Sequence, residues 1–354
     1  MLCLPSAKLS AEIENADVMK IRLLTYPWAG LNNGGLQLQI GKTLTELNDL
    51  GRDVSMLDCW RDDLSDCDVL HVFSLSDSCC RHVERAKEKH IPIVISTVFG
   101  VEGIRQLTRL KAYIAGKCRV VWPGLRASKR MLDAADRVIC LNDSEASLLQ
   151  CVFNVTREKI TIVPNGIDSR FLKSDASLFS ERYGIDNFVL QAARLAPGKN
   201  QLRLLAALKN VDCEVVIAGG ESASFADYAA QCRRVASAIT LFTGAIEYAD
   251  PLLPSMFNAA KVFVLPSFSE VMPLSLYEAA ASGCNLVCSR AVPVEPWLAP
   301  HVHFCSPSST SSIRDAVERA LASPNLDGNR FHQFLKTWRE VAINIQQVYG
   351  DITS

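Results

Sequence analysis

Residues 265–279 hold the part of the chain with the most chemistry in its spacing. An apolar strand is expected to end at Leu265, and a polar loop follows. Pro273 then stands where a helix would begin, a position that suits proline because the first helical N–H has no partner to lose. The free N–H groups of such a helix, from about Leu274 and Ser275, point beyond the strand end and make an anion site by geometry alone. Glu270 lies in the loop and Glu278 in the second helical turn, eight residues apart. Carboxylates accept hydrogen bonds from hydroxyls. A pair flanking an anion site therefore suits a ligand with hydroxyls at both ends and phosphate in the middle, such as a nucleoside diphosphate sugar. On spacing alone, an ordinary helix-surface Glu278 and a solvated loop Glu270 fit equally well. A second group shifts the balance. Arg194 and Lys199 follow a strand read at residues 188–192, which puts two cations at the same sheet edge, where positive charge would stabilise a departing diphosphate. Ala218, Gly219 and Gly220 again end a strand with glycine and permit close backbone approach.

Other chemistries fail on inspection. Gly41, Lys42 and Thr43 imitate the end of a phosphate-binding loop, but the required earlier glycine falls on Leu36 and helical periodicity runs straight through. Asp66 and Asp68 have the spacing of a metal-holding acidic pair, yet they precede a strand and so belong at the wrong edge of a sheet. The thirteen cysteines are scattered without a C-x-x-C, which fits reduced thiols better than zinc or a disulfide framework. No metal site is expected. With 37 Lys and Arg against 38 Asp and Glu, a globally basic nucleic-acid binder is disfavoured. No apolar run reaches the length of a bilayer span, and the N-terminus lacks a secretory apolar region, so a cytoplasmic location is expected.

The elements that must position these residues come from periodicity. Residues 19–26, 53–57, 69–75, 91–98 and 137–141 read as strands, with a helix over about 36–50. The pattern restarts after residue 164 with strands at 188–192, 215–218, 240–242, 262–265 and 286–288. Residues 331–349 are helical in pattern. Short apolar runs alternating with helices imply parallel sheets covered on both faces. The turn-rich stretch 163–168 is the linker. The expected division is an N-terminal extension 1–18, a first Rossmann-like domain 19–164, a second 165–330, and a C-terminal helix 331–354.

Taken together, V-P-N-G-I-D (residues 163–168), R-x4-K-N from Arg194, F-x-G from Phe242 and E-x7-E from Glu270 occur in the order of the family 4 retaining glycosyltransferases, which this chain resembles most over residues 160–290. The resemblance implies the α/β GT-B fold, two doubly wound parallel-sheet domains facing each other across a deep cleft. It implies metal-independent transfer from a nucleotide-diphosphate sugar to a saccharide or lipid-linked acceptor, in polysaccharide or glycolipid biosynthesis, with no cofactor beyond the co-substrate. Arg194 and Lys199 would then hold the donor diphosphate, Glu278 the ribose hydroxyls and Glu270 the transferred sugar. Amides at Leu274 and Ser275 would cap the distal phosphate, Gly34 and Gly35 would let the first domain approach it, and Asn165 would line the donor side. A histidine common in the family at the end of the first-domain strand is replaced by Val98 or Phe99. Either Ser96 or Thr97 takes its role, or the acceptor geometry differs, or the chain is a catalytically silent nucleotide-sugar-binding partner of an active transferase. Val271 also stands where glycine is frequent. Residues 105–130 carry eight Lys or Arg and no acid, an amphipathic stretch suited to an anionic membrane surface or a phosphorylated acceptor.

Overall fold

The computed structural model describes residues 18–31, 34–99, 123–173 and 175–353. Nearly all of the expected extension 1–18 and most of the basic run 105–130 therefore lie outside the described residues. Among those described, twelve strands form two six-stranded parallel sheets. The first contains β1 (Lys20–Leu24), β2 (Asp53–Met56), β3 (Val69–Phe73), β4 (Ile93–Ser96), β5 (Arg137–Cys140) and β6 (Ile160–Ile162), in spatial order 2-1-3-4-5-6. Its helices are α1 (Gly35–Asp49), α2 (Cys80–Glu88), α3 (Pro123–Ala134) and α4 (Asp143–Phe153). The second contains β7 (Val189–Ala192), β8 (Val215–Ala218), β9 (Thr240–Gly244), β10 (Val262–Leu265), β11 (Asn285–Ser289) and β12 (Val302–Cys305), in order 12-11-10-7-8-9. With it go α5 (Ser177–Tyr183), α6 (Gln201–Leu208), α7 (Ala226–Val235), α8 (Leu252–Ala259), α9 (Leu274–Ala281) and α10 (Thr310–Ala322). The last helix is α11 (Trp338–Thr353).

Every residue of β3, β4, β8, β10 and β11 is buried. That is why these strands read as continuous apolar runs rather than alternating ones: helices cover both faces. Each sheet begins in its middle, grows one way, then returns and grows the other. The reversal falls between β1 and β3 in the first sheet and between β7 and β10 in the second. Loops beyond the carboxyl ends of those four strands are where a doubly wound sheet leaves a ligand crevice.

The chain passes between the sheets twice, at residues 163–168 and again just before α11. The two crossings touch. Ile167 N donates to Lys336 O at 2.8 Å, and a Cβ on Gly166 would lie 2.6 Å from Trp338 N, so only glycine fits there. This contact corrects the reading of 331–349 as continuous helix. Residues 332–337 run irregularly from the 3-10 turn Gly328–Phe331, and α11 starts only at Trp338. Thr337 and Glu340 form a capping box that fixes this start: Thr337 N donates to Glu340 Oε2 at 2.7 Å and Glu340 N to Thr337 Oγ1 at 3.3 Å. The helix then buries Trp338, Val341, Ala342, Ile345, Val348 and Tyr349 in one stripe against Ile21, Leu23 and Phe73 of the first sheet.

Candidate donor site at the sheet edges

The loop after β7 is shaped first by packing. Gly219, at the end of β8, has φ +158° and lies so close that a Cβ would sit 2.1 Å from Ala193 O. Only glycine lets β8 pass this closely behind Arg194. The Arg194 carbonyl accepts from Gln201 Nε2 at 3.0 Å, while its side chain is exposed at the sheet edge. Lys199 closes the 3-10 turn Pro197–Lys199, and its Nζ lies 2.5 Å from Glu270 Oε1. Sequence placed one on phosphate and the other on sugar; here the two are joined directly as a half-buried pair. A ligand in this cleft therefore meets them as neighbours. Asn200 takes the left-handed conformation and donates to Pro266 O at 3.0 Å and Pro307 O at 2.8 Å. It thus ties together the loops after β7, β10 and β12, and Phe268 N adds a bond to Gly198 O at 3.0 Å.

Across the cleft, Gly34 caps α1 with an extended backbone and Gly35 begins it. A Cβ at Gly35 would lie 3.8 Å from Leu274 Cδ1 at the start of α9. The N-terminal ends of α1 and α9 therefore meet, one from each domain. The free N–H groups at a helix N-terminus favour negative charge, and Arg194 and Lys199 both lie in the loop that follows β7 of the second sheet. Val271 has a negative φ, so the valine is accommodated without backbone strain, and its carbonyl accepts from Asn142 Nδ2 at 2.8 Å across the domains. Asn165 N donates to Met272 Sδ at 3.3 Å, and its buried Oδ1 has no partner. Sequence singled out Asn165 but missed Asn142, which also caps α4 through a bond from Glu145 N at 2.9 Å. The N-D-S-E run at residues 142–145 carried that capping signal.

Glu278 is 5% exposed. Burial pushes its carboxyl up to about 8; the neighbouring Tyr248 hydroxyl pulls the other way, the Asp168 charge adds to the rise and Arg170 offsets it. Asp168 itself pairs with Lys42 of α1 at 3.2 Å and with Arg170 at 3.2 Å. Burial opposes the Asp168 charge, but the hydrogen bonds from Arg170 and Lys42 hold it below the usual carboxylate range. Lys42, set aside as a failed phosphate-loop lysine, is thus a domain-bridging cation. The acidic pair takes no part: Asp68 Oδ2 accepts from Lys20 N at 2.7 Å and Asp66 pairs with Lys20, at the opposite end of β1.

The residues offered in place of the absent histidine are both engaged. Ser96 Oγ lies 2.9 Å from His71 Nε2, and Thr97 Oγ1 donates to Glu145 Oε1 at 2.6 Å; each residue is 1% exposed. Glu145 also accepts from Phe99 N at 2.5 Å and Leu141 N at 2.7 Å, tying down the end of β4. Between them Val98 is held at φ +42°, a conformation costly for a β-branched residue.

The family described as "Glycosyl transferases group 1" matches residues 177–335, and "Glycosyltransferase Family 4" matches residues 39–171. A D-inositol 3-phosphate glycosyltransferase of Mycobacterium sp. (strain KMS) is 31% identical over 179 residues, covering 47% of this chain and 40% of that protein. The UDP-Gal:alpha-D-GlcNAc-diphosphoundecaprenol alpha-1,3-galactosyltransferase of Escherichia coli is 28% identical over 237 residues, covering 63% of this chain and 58% of that protein. The chain thus spans less than two thirds of the length of both curated relatives. Among solved structures, the sucrose-phosphate synthase of Thermosynechococcus elongatus superposes with a TM-score of 0.75 at 18% identity, covering 94% of this chain and 98% of that one. The Anabaena protein HepE in complex with UDP-glucose gives 0.70 at 15% identity, covering 94% and 100%.

Proposed function

Because the chain belongs to the group 1, family 4 glycosyltransferases and has their GT-B fold, we propose that it moves a sugar from a nucleoside diphosphate sugar to a saccharide or lipid-linked acceptor, with retention and without a metal. The observation that carries this reading is the meeting of the α1 and α9 N-termini at Gly35 and Leu274, with Arg194 and Lys199 at the same edge. Such a site neutralises a leaving diphosphate with protein dipoles and cations alone. A uridine base is favoured by the UDP-glucose bound in HepE and the UDP-Gal named for the Escherichia coli relative.

In the transfer, the bond from the anomeric carbon to the diphosphate oxygen breaks while an acceptor hydroxyl approaches on the same face. Negative charge grows on the phosphate as the bond lengthens, and Arg194, Lys199 and the two helix N-termini stabilise it more than they stabilise the intact donor. The acceptor proton passes to a phosphate oxygen, so no protein base is assigned. Glu270 binds hydroxyls of the transferred sugar and orients it, with Lys199 shared between that carboxylate and the phosphate. Glu278 accepts from the ribose.

The basic run 105–130 is proposed as the acceptor or membrane contact. Within its described part, Lys129 pairs with Asp133 and Arg130 with Glu84, so those two cations are partly neutralised. No helix among the described residues is long and apolar enough to cross a membrane.

Calorimetric titration of UDP, GDP and ADP and their sugar conjugates, with chelator present, tests the proposal. One base series should bind. Arg194→Ala and Glu278→Ala should each weaken diphosphate binding ~10-fold or more, the scale of a lost charge-assisted hydrogen bond, while Glu270→Ala should chiefly slow transfer. Unchanged affinity in the first two variants would remove the site from this edge. Nucleotide-sugar binding without turnover would favour the silent-partner reading.

A further inference from the structure

Behind the donor edge, three buried polar atoms lack a hydrogen-bond partner: Glu278 Oε1, Tyr248 OH and Trp338 Nε1. They come from α9, the loop after β9 and the first residue of α11. The Tyr248 hydroxyl is near enough to Trp338 and Glu278 for both to act on its titration, yet none of the three atoms has a partner in hydrogen-bonding geometry. Orphaned buried polar groups are rare and costly, and three that act on one another call for a physical reason. Chemistry fixes the direction in which they would pair. An indole N–H only donates, an ionised carboxylate only accepts, and a phenol does both. Trp338 to Tyr248 to Glu278 is the order that satisfies all three.

The surroundings give this chain of groups a place in the mechanism. Trp338 forms the second crossing between the domains, packed backbone to backbone on Gly166. Lys42 from the first domain stands 5.5 Å over the Tyr248 ring and Arg170 stands 5.7 Å from it, both also held by Asp168. Arg170 Nη2 additionally donates to the Tyr248 carbonyl at 2.7 Å, fixing the loop but not the ring. The charged groups around Glu278 are therefore Asp168 and Arg170 from the first crossing and Lys42 from α1, with Tyr248 the titratable neighbour from the loop after β9.

We propose that Trp338, Tyr248 and Glu278 form a hydrogen-bond relay that closes when a nucleoside diphosphate occupies the cleft, with Tyr248 the positioning residue that aims Glu278 at the ribose hydroxyls. This rests on the donor-site reading above. The relay carries domain position to nucleoside recognition: only with the crossings in their closed register is the carboxylate held ionised and correctly turned.

The test compares UDP with 2′,3′-dideoxy-UDP, which lacks the hydroxyls in question, by calorimetry on the full chain. The wild type should favour UDP about tenfold, the scale of one hydrogen bond to a charged group. Tyr248→Phe should erase most of that preference, lowering UDP affinity several-fold and leaving dideoxy-UDP affinity unchanged. Its melting temperature should not fall, because the substitution removes a hydroxyl that has no partner. Trp338→Phe, which deletes the far end of the relay, should move the ratio the same way by less. Equal losses for both ligands in Tyr248→Phe, or no loss for either, overturn the relay. Glu278→Gln separates the two levels of the argument. If it abolishes the preference while Tyr248→Phe keeps it, the relay is wrong and the donor site stands. Absence of UDP binding, or a preference that Glu278→Gln leaves intact, overturns both.

Discussion

The chemistry of single residues here is governed by how much water each keeps. Glu270 remains at the cleft, where Lys199 meets it; Glu278, eight residues on, is sealed between Tyr248 and the domain crossings. Sequence could pair the two glutamates because the pairing is local, one in a loop and one a turn into the following helix. It could not tell that one meets a cation and the other does not, since Tyr248 and Trp338 reach Glu278 from 30 and 60 residues away in the chain. That difference has a measurable sign. A carboxyl pushed up to about 8 in the folded chain keeps its proton where the unfolded chain, at an ordinary 4.5, has lost it. The native state then binds more protons, so stability should fall as pH rises from about 4.5 to about 8 and level off above. Glu278→Gln should remove this contribution. Its melting temperature relative to wild type should climb across that interval in thermal denaturation by circular dichroism; a difference independent of pH would mean that Glu278 is ionised and solvated in the native protein.

At the scale of elements, short apolar strands were legible because both faces of a parallel strand are buried and leave unbroken runs. One edge strand, β6 with three residues, was not, for so short a run leaves no periodicity to read. The last helix was legible as amphipathic but misplaced at its start, although Thr337 and Glu340 spelled out a capping box. What periodicity could not show is the polar thread within that packing. Tyr349 OH lies 2.6 Å from His71 Nδ1, whose Nε2 reaches Ser96 Oγ at 2.9 Å, all in the core of the first domain. Burial lowers the His71 imidazole to about 3, so it is neutral and both ring nitrogens need partners. Tyr349→Phe should cost about 1–3 kcal/mol in urea denaturation, because it strands a buried ring nitrogen instead of merely deleting a bond. His71 also dictates an acid-side sign. Its contribution is present above the unfolded value of about 6.5 and is lost as pH falls toward 3, since only the unfolded chain takes the proton. An unchanged urea midpoint in Tyr349→Phe at pH 7 would show the network to be dispensable.

For the whole molecule, the consequential fact is that the chain's last helix completes its first domain. The face of the first sheet formed by Ile21, Leu23, Val69, Phe73 and Val94 shares its core with Trp338, Val341, Ile345, Val348 and Tyr349. Each such side chain contributes about 1.5–3 kcal/mol on burial, so the stripe as a whole rivals the net stability of a domain, about 5–15 kcal/mol. The second domain owes α11 far less: its two cores are built from residues 167–331. A chain ending at residue 337 should therefore lose the first domain and keep the second. Limited proteolysis should cut rapidly within residues 18–163 while a fragment beginning near the 163–168 crossing persists, and one of two thermal transitions should vanish. Equal resistance of both halves would mean that α1 and the sheet suffice without α11. The same arrangement bears on the proposed site, because Glu278 lies beside the crossings. Ile167 on one strand of chain pairs with Lys336 and Thr337 on the other and Gly166 packs on Trp338, so the two crossings are held together beside Asp168, whose charge acts on the buried Glu278.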